Sequence, residues 1–237
     1  MTTTNLSEKT VGDIVTDDYR TAEIFEKHGI DFCCGGKVTL ADACREQGLN
    51  PAALVREIEG LAQAPVDRSR NYSAWTLSFL ADYIVNTHHA YLKENDEQIA
   101  AYARKIAAVH GERHPEVIRI AAIFEKIAQE MVGHLREEEE VFFPALKRAE
   151  AAVVAGKTPD ANDRETIRQS LVRLHREHEE VGDAIHTIRR LSQGYALPTD
   201  ACNTFTLAYR KLQEFEDDLH KHVHLENNIL FPKAARL

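Results

Sequence analysis

The chain has 237 residues, of which 28% are charged and 43% hydrophobic, the composition of a globular protein with room for a full core. The net charge of −9 and the lack of a basic stripe argue against nucleic-acid binding. No apolar run approaches the roughly 20 residues that span a bilayer, and the N-terminus shows no signal-peptide pattern. Four cysteines, two of them adjacent, form no secreted disulfide framework, so we expect a cytoplasmic protein without membrane or nucleic-acid partners.

The first part of the chain, residues 1–62, is predicted to be a small helical domain, and the polar stretch 63–72 is predicted to be a linker. Thr39 is expected at the N-cap of one helix, with Asp42 three residues later in the position of a capping box. Start and stop signals predict three helices, at Asp13–His28 before Gly29, from Thr39 to Gly48, and from Asn50-Pro51 to about Leu61.

Between the first two of these helices lies the motif Asp31-Phe32-Cys33-Cys34-Gly35-Gly36-Lys37. Two glycines after two cysteines predict a turn that leaves both sulfurs near the surface. Adjacent exposed thiols can take part in redox chemistry, hold iron in transit or dock a target, so Cys33 and Cys34 are candidate functional residues. The alternative is a structural turn whose thiols are incidental. Cys44 and Cys202 lie in helical patterns and are expected to be small buried hydrophobes.

The remainder, residues 73–237, is predicted to form one all-α domain. Glycine and proline breakers separate four long helical patterns, and no alternating strand-like pattern of any length competes with them. Short connections favour antiparallel neighbours, so the sequence predicts an up-down four-helix bundle preceded by the small helical domain. The four predicted helical segments are 73–109, 115–155, 163–192 and 199–234.

Two of these segments carry the same phrase, in which a histidine is followed by a glutamate four residues later and then by a Phe-Pro pair. The first copy runs from His134 through Glu138 to Pro144, and the second from His222 through Glu226 to Pro232. Residues four apart lie on one face of a helix, so each phrase presents an imidazole and a carboxylate at the same point. Each proline is expected to kink or end its helix.

The phase of the pattern predicts that these His–Glu pairs point into the core. Hydrophobic residues at steps of three and four lead directly to each histidine: Ile120, Phe124, Ile127 and Met131 before His134, and Leu212, Phe215 and Leu219 before His222. The alternative for a single phrase, a solvated ion pair, belongs on the polar face instead. Two copies in phase with the core favour a metal site inside the bundle.

Each half of the bundle is expected to supply one further histidine. His178 follows the inward rhythm of the third segment. His89 holds the matching place in the first segment, because it precedes His134 by nearly the same number of residues as His178 precedes His222. Asp96 interrupts the hydrophobic pattern after His89. The neighbouring His88 is the alternative to His89 as the ligand at this position.

Other acidic residues and histidines lie near the predicted ligands. Glu130 and Glu177 are candidate acceptors for the ligand histidines, or parts of a proton path, and the alternative is that they are solvated surface charges. In the acidic run 137–140, every residue except Glu138 is expected to be solvated. The remaining histidines fall off the ligand stripe and are expected at the surface: His28, His110, His114, His175, His186, His220 and His224.

The predicted ligand set is therefore four imidazoles and two carboxylates: His89, His134, Glu138, His178, His222 and Glu226. This set supplies two histidines to each of two metal ions and lets both glutamates bridge them. With a bridging oxide or hydroxide, each metal ion keeps a place for a diatomic ligand. Imidazole and carboxylate without thiolate suit iron or manganese better than a structural zinc site.

With these motifs in place, the bundle resembles hemerythrin-like domains, and the whole chain resembles the bacterial iron–sulfur cluster repair di-iron proteins known as repair of iron centres. The Cys-Cys-Gly-Gly motif and the paired His-Glu-Phe-Pro phrases, in that order, carry the resemblance over essentially all 237 residues. It implies a non-haem, oxo-bridged di-iron centre on the six ligands named above, with Glu130 and Glu177 as an acidic pair near it. It also implies a cytosolic role in restoring clusters damaged by nitric oxide or oxidants.

The implied partners are proteins with damaged iron–sulfur clusters, nitric oxide or oxygen as the small ligand, and an electron donor, for a monomer or homodimer. Repair could proceed by donation of labile iron or by enzymatic reduction of nitric oxide. A second function is reversible binding or sensing of oxygen or nitric oxide, but the oxygen-carrying hemerythrins use an additional histidine, and no seventh ligand is in phase here. A third is a metal-free scaffold, which would leave buried charges uncompensated at considerable cost.

Overall fold

The computed structural model describes residues 6–18, 20–32, 36–61 and 71–237. The regular structure of these segments is helical, and their only strand-like feature is one isolated bridge between Thr10 and Thr39. The prediction of an all-α fold is therefore confirmed. Cys33, Cys34 and most of the predicted linker lie outside the described residues.

Contacts between Cα atoms divide the chain into two compact units. The first comprises Met1–Leu80 together with His220–Arg236, and the second comprises Ala81–Leu219 and the terminal Leu237. The division falls within two helices, one near each end of the second unit. The predicted domain limits of 1–62 and 73–237 stay a prediction.

Four short helices make up much of the first unit: α1 (Val11–Asp17), α2 (Thr21–Lys27), α3 (Leu40–Glu46) and α4 (Pro51–Leu61). The predicted cap of α3 is confirmed, because Thr39 Oγ1 accepts a hydrogen bond from the backbone N–H of Asp42 at 3.2 Å. At the start of α4, Asn50 Oδ1 accepts in the same way from Ala52 N–H at 2.9 Å. Gly48 ends the α3 region with a φ of +66°, which glycine adopts without strain.

The single helix predicted over Asp13–His28 is wrong, because Asp18 separates α1 from α2. Asp18 has an extended backbone, with φ −146° and ψ 99°. Its carboxylate accepts from the backbone N–H of Arg20 at 3.1 Å, and its carbonyl oxygen accepts from the Thr21 hydroxyl at 2.7 Å. Aspartate commonly satisfies the free N–H groups at a helix start, so here it begins a second helix instead of continuing the first.

The long helices are α5 (Leu77–Ile84), α6 (Ala90–His110), α7 (Pro115–Glu137), α8 (Phe143–Val154), α9 (Ala161–Leu191) and α10 (Asn203–His224), and α11 (Phe231–Ala234) follows them. In the second unit, α7 packs against both α6 and α9. The predicted core stripe of α7 is buried, and Phe124 packs edge-on against Phe215 of α10 with ring centroids 4.9 Å apart. The bundle prediction is confirmed. None of the described helices is both long and apolar enough to cross a membrane.

Three π-helical turns adjoin these helices, at Val85–His89, Glu138–Phe142 and Leu225–Leu230. Each contains one of the predicted metal ligands: His89, Glu138 or Glu226. A π turn holds one residue more than an α turn, and such turns occur mostly at functional sites. The turns therefore mark the same three places that the ligand pattern marks.

Each Phe-Pro pair follows a π turn and begins the next α-helix, so α7 and α10 end before Pro144 and Pro232, and a kink at either proline stays a prediction. Phe143 N–H donates to the carbonyl oxygen of Glu138, and Phe231 N–H donates to that of Glu226, each five residues back. Proline has no N–H and its ring crowds the carbonyl four residues earlier. A wider turn before the proline relieves this crowding, so α8 and α11 continue the helical path.

Candidate metal centre

All six predicted ligands are buried. The exposed fraction is 7% for His134, 1% for His178 and His222, and zero for the other three. The π turn before α6 carries His89, and α9 carries His178. Helices α7 and α10 carry the other two histidines near their ends, and the π turns that follow carry the two glutamates. The inward orientation predicted from the phase of the pattern is therefore confirmed.

Ring nitrogens and carboxylate oxygens of these residues lie close together. Glu138 Oε2 is 3.2 Å from His89 Nε2 and 3.5 Å from His134 Nε2. His134 Nε2 is also 3.4 Å from His178 Nε2. After the end of α10, Glu226 Oε1 lies 3.2 Å from His222 Nε2. Each Nε2 atom thus faces another potential ligand atom, as it does around a bound cation.

The ligand atoms form two groups of four, and within each group one atom per residue lies within 4.8 Å of the others. One group is His89, Glu138, His222 and Glu226, and the other is His134, Glu138, His178 and Glu226. Both glutamates belong to both groups, whereas each histidine belongs to one. The described residues therefore offer two adjacent sites with two imidazoles each and two shared carboxylates.

This donor set fits metal ions. A carboxylate as deeply buried as Glu138 or Glu226 is costly unless a cation or several hydrogen bonds offset its charge. Neutral imidazole nitrogens alone do not supply that charge, and a divalent cation does. Imidazole with carboxylate is a set that iron and manganese accept, whereas structural zinc sites commonly contain cysteine.

Two carboxylates contact predicted ligand histidines at Nδ1, the ring nitrogen opposite the one that faces the site. Glu177 Oε2 is 2.9 Å from His134 Nδ1, and Glu139 Oε1 is 2.8 Å from His89 Nδ1. The hydrogen bond with His134, together with one from Arg173, lowers the pKa of Glu177 to about 2 although burial opposes this. Burial also acts to raise the pKa of Glu139, but hydrogen bonds from Lys93 and His89 outweigh it and leave the pKa lowered. Both groups are therefore carboxylates that accept from Nδ1 and orient the ring.

The structure separates the predicted acidic candidates. Glu177 contacts a ligand histidine, but the side chain of Glu130 is 59% exposed and its carboxylate lies 3.5 Å from Lys126 Nζ. The prediction that Glu139 is simply solvated is wrong. No repeat signal could have found it, because the second phrase has Asn227 at the equivalent place.

Glu137, a second residue of the acidic run, also forms hydrogen bonds within the protein, so the prediction that it is solvated is wrong too. Glu137 accepts hydrogen bonds from the Ser170 hydroxyl and from Arg173, both at 3.1 Å, and its side chain is 17% exposed. Both partners lie on α9, which explains why a pattern within the run itself did not reveal them. Glu140 is solvated as expected, with a side chain that is 60% exposed.

The rival ligand His88 is also buried, but it has a different partner. Its Nδ1 lies 3.0 Å from Asp218 Oδ1, and neither ligand group includes it. Two other histidines expected at the surface, His110 and His224, are 6% and 4% exposed. Burial lowers the pKa of His224 to about 4, so its ring is neutral near pH 7.

The two isolated cysteines differ from one another. Cys44 is fully buried, as predicted, and burial raises the pKa of its thiol. The prediction for Cys202 is wrong, because it is exposed and precedes the first residue of α10, with Sγ 3.2 Å from His110 Nε2.

Comparisons with known proteins agree with this site. The model described as the Hemerythrin HHE cation binding domain matches residues 80–234, and the ScdA_N model, described as a domain of unknown function, matches residues 7–62. The chain is 33% identical over 229 residues to the iron-sulfur cluster repair protein ScdA of Staphylococcus haemolyticus, a match that covers 97% of this chain and 99% of that protein.

Two further relatives carry the same description. The chain is 31% identical over 229 residues to the ScdA protein of Staphylococcus epidermidis, which covers 96% of this chain and 98% of that protein. It is 31% identical over 217 residues to the iron-sulfur cluster repair protein YtfE of Yersinia pestis, with 92% of each chain covered. Because these matches run nearly from end to end and the hemerythrin match covers most of the bundle, the chain belongs to the hemerythrin-like iron–sulfur cluster repair proteins.

Proposed function

We propose that this chain restores iron–sulfur clusters damaged by nitrosative or oxidative stress, and that it does so with two iron ions. The ions would be held by the six buried ligands: His89, His134, Glu138, His178, His222 and Glu226. The relatives named as cluster repair proteins support the function, and the donor set supports the metal. The partners are then proteins whose clusters have lost iron or have been nitrosylated.

The observation that carries the proposal is the pair of ligand groups that share both glutamates. A single metal ion would need only one such group. Two groups with common carboxylates would suit two ions, each held by its own pair of histidines, with Glu138 and Glu226 available to both. Each group offers four protein ligands, so an ion held there would have room for a small ligand.

Bound iron ions would supply one-electron redox chemistry, and they could also be released to another protein. The chain itself orients the imidazoles of His89 and His134 through Glu139 and Glu177, which hold a proton on Nδ1 of these two rings. Phe143 stacks on the His89 ring at a centroid distance of 5.8 Å and an angle of 19°. This apolar cover limits access of water to the ligand on that side.

Two repair routes fit such a site, and one assay separates them. Iron-loaded protein is mixed anaerobically with an enzyme whose [4Fe–4S] cluster has been inactivated by nitric oxide. If the chain donates iron, recovery of enzyme activity is accompanied by loss of iron from the chain. If it reduces nitric oxide, two molecules of nitric oxide take up two electrons from an added reductant and two protons to give nitrous oxide and water, and the chain keeps its iron. If fully loaded protein gives no recovery of the enzyme and forms no nitrous oxide, the proposal is contradicted.

The metal content of two variants tests the site itself. Glu138→Gln keeps the shape of the side chain but removes a shared negative charge, so we expect iron to fall from two ions per chain to one or none, with repair lost. Glu140→Gln is the matched control, since its side chain is 60% exposed and its pair with Arg136 is solvated. Equal iron content in the two variants would contradict the assignment of Glu138 as a bridge.

A further inference from the structure

Two residues whose burial differs from the sequence prediction contact each other. The sequence predicts a buried Cys202 and an exposed His110, and the structure shows the reverse, since Cys202 is exposed and His110 is 6% exposed. Cys202 Sγ lies 3.2 Å from His110 Nε2, which is a hydrogen-bonding distance for sulfur. Both residues belong to the second unit, whose sequence contains no other cysteine. A thiol that solvent can reach is thus paired with an imidazole that solvent hardly reaches.

The surroundings of the His110 ring direct it at the sulfur. The ring packs edge-on against the fully buried ring of Phe205, with centroids 5.3 Å apart. Its Nδ1 atom is buried and has no hydrogen-bond partner among the described residues. Within the described part of the chain, Cys202 is therefore the hydrogen-bond partner of this ring. A buried imidazole with one polar contact is well placed to exchange a proton with that contact.

Cys202 stands at the N-terminal end of α10. Its carbonyl oxygen accepts from the backbone N–H of Thr206 at 3.0 Å, which is the hydrogen bond that starts the helix. Phe205, which covers the His110 ring, lies in the first turn of the same helix. Reactive cysteines typically lie at a helix N-terminus or beside a histidine, because both stabilise a thiolate. The two features meet at this sulfur.

The charged groups next to Cys202 are paired with each other. Asp200 Oδ1 lies 2.9 Å from His114 Nε2, and Asp200 Oδ2 lies 3.3 Å from Arg113 Nη1. The hydrogen bond from His114 holds the pKa of Asp200 below its usual value. His114 has a second carboxylate partner, because its Nδ1 is 3.1 Å from Glu116 Oε1. The negative charge of Asp200 is therefore offset by its two basic partners, which reduces its repulsion of a thiolate two residues away.

The pair is remote from the candidate metal centre. His89 directly precedes α6, and His110 is the last of the 21 residues of that helix. At a rise of 1.5 Å per residue, the two histidines are roughly 30 Å apart along the helix axis. Chemistry at Cys202 therefore needs neither the metal ions nor their ligands.

We propose that Cys202 is a redox site independent of the metal centre, at which a hydroperoxide oxidises the thiol and His110 carries the proton. The thiol proton passes to Nε2 while the sulfur attacks one oxygen of hydrogen peroxide. The O–O bond breaks, and the leaving hydroxide takes the proton back from Nε2 to form water. The sulfur loses two electrons and becomes a sulfenic acid, and the peroxide gains those electrons.

The test is the rate at which hydrogen peroxide converts Cys202 to the sulfenic acid at pH 7, trapped with dimedone and followed by mass spectrometry. The full-length chain is used without metal, because Fe²⁺ itself reacts with peroxide. We expect Cys202 to react about tenfold faster in the folded chain than in guanidinium chloride, since only folding brings His110 to the sulfur. The buried Cys44 is the internal control, and folding should slow its reaction.

Two variants separate proton transfer from packing. His110→Leu removes both ring nitrogens, whereas His110→Gln keeps a polar group near the sulfur that cannot take up the proton. Both are expected to react about tenfold more slowly than the wild type, with helical content checked by circular dichroism. The control is His186→Gln, the same substitution at an exposed histidine of the same unit, and it should keep the wild-type rate.

Each result supports or overturns the proposal. If the wild-type Cys202 reacts no faster folded than unfolded, or if a folded His110 variant keeps the wild-type rate, His110 does not assist the thiol. The comparison of folded with unfolded wild-type chain needs no variant, so it decides the question even if neither substitution at His110 folds. Because no measurement involves bound metal, these results leave the proposed function in cluster repair untouched.

Discussion

At the scale of single residues, Glu139 and Glu177 determine which nitrogen of a ligand histidine faces the metal site. A carboxylate acceptor at Nδ1 keeps the ring proton there, so Nε2 has a free lone pair. Glu139 does this for His89 and Glu177 does it for His134, at 2.8 and 2.9 Å. The sequence suggested Glu177, which adjoins the predicted ligand His178, whereas Glu139 was expected to be solvated as part of the acidic run 137–140.

The first prediction concerns this support. Glu139→Gln should weaken metal binding by about 10- to 100-fold, because the amide is a poorer acceptor for Nδ1 and no longer fixes the ring proton. Metal affinity is measured by competition with a chelator. The neighbouring Glu140→Gln removes an equal charge from an exposed position and should change the affinity little. Equal affinities for the two variants would show that Glu139 does not support the ligand.

The second residue-scale prediction concerns Gly12. In Gly12→Ala the new Cβ would lie 2.9 Å from Asn228 Oδ1 and 3.1 Å from the Gly36 carbonyl oxygen. Because the second of these atoms belongs to the backbone, the contact is not easily relieved, and we expect the free energy of unfolding to fall by about 1–3 kcal/mol. Urea denaturation of the metal-free protein measures it.

Gly60→Ala is the control for that substitution. Gly60 lies within α4, and a Cβ there meets nothing within 4 Å. Alanine in place of glycine in this last turn of the helix should therefore raise the free energy of unfolding, by up to about 1 kcal/mol. If Gly12→Ala behaves like Gly60→Ala, then the close approach of Asn228 to α1 is not present in solution.

At the scale of elements, the π turns explain how a helix can carry both a ligand glutamate and a nearby proline. The carbonyl oxygen of Glu138 accepts from Phe143 N–H, five residues on, and that of Glu226 accepts from Phe231 N–H. Proline is not the sole cause, because no proline follows closely after the turn Val85–His89. What the three turns share is a predicted ligand, which is consistent with a wider turn that directs a side chain into the site.

The third prediction tests the turn Glu138–Phe142. Deletion of the exposed Glu140 removes the one extra residue and should restore α-helical hydrogen bonding without shifting the helix on either side. We expect helical content by circular dichroism to be unchanged and metal affinity to fall about tenfold or more, because Glu138 is redirected. Glu140→Ala, which keeps the residue count, should bind metal normally. Unchanged affinity in the deletion variant would mean that the wider turn is not needed for binding.

The elements also show where sequence patterns stop being informative. Breakers and hydrophobic phase located the long helices to within a few residues, because burial of one face requires that phase at every turn. The sequence patterns could not show the π turns, because one extra residue shifts the hydrophobic pattern no more than a single misplaced polar residue does. The break at Asp18 was missed for another reason: a side chain that caps the next helix looks like one charged residue within the pattern.

At the scale of the whole molecule, the duplicated phrase led to a prediction of six ligands from one chain. Two matched phrases in phase with the core are improbable without a shared role, and the buried groups place the same six residues together. The repeat could not show where the two copies of the phrase make different contacts. His224 and Asn228 belong to the copy that contacts Phe32, whereas Arg136 and Glu140 are solvated. Contacts between distant parts of the chain leave no periodic signal.

The interruption that the sequence shows at Asp96 also has a consequence for the whole molecule. Asp96 lies on the buried side of α6, between Leu92 and Ile99, and its Oδ1 is buried without a hydrogen-bond partner among the described residues. Burial raises the pKa of this carboxyl group from 3.8 to about 7. The folded chain therefore holds this proton more tightly than the unfolded chain does, and the free energy of unfolding must depend on pH.

The last prediction follows from the sign of that shift. A carboxyl group with a raised pKa in the folded state contributes most below its unfolded pKa, and its contribution is lost as pH rises from 3.8 through about 7. Asp96→Asn carries no charge to bury, so its advantage over the wild type should be near zero at pH 4 and reach on the order of 4 kcal/mol at pH 8. Urea denaturation of metal-free protein from pH 4 to 8 measures it. Glu94→Gln, an exposed neighbour on α6, should follow the wild-type curve. An advantage for Asp96→Asn that stays constant across this range would mean that Asp96 is not buried as a carboxylic acid.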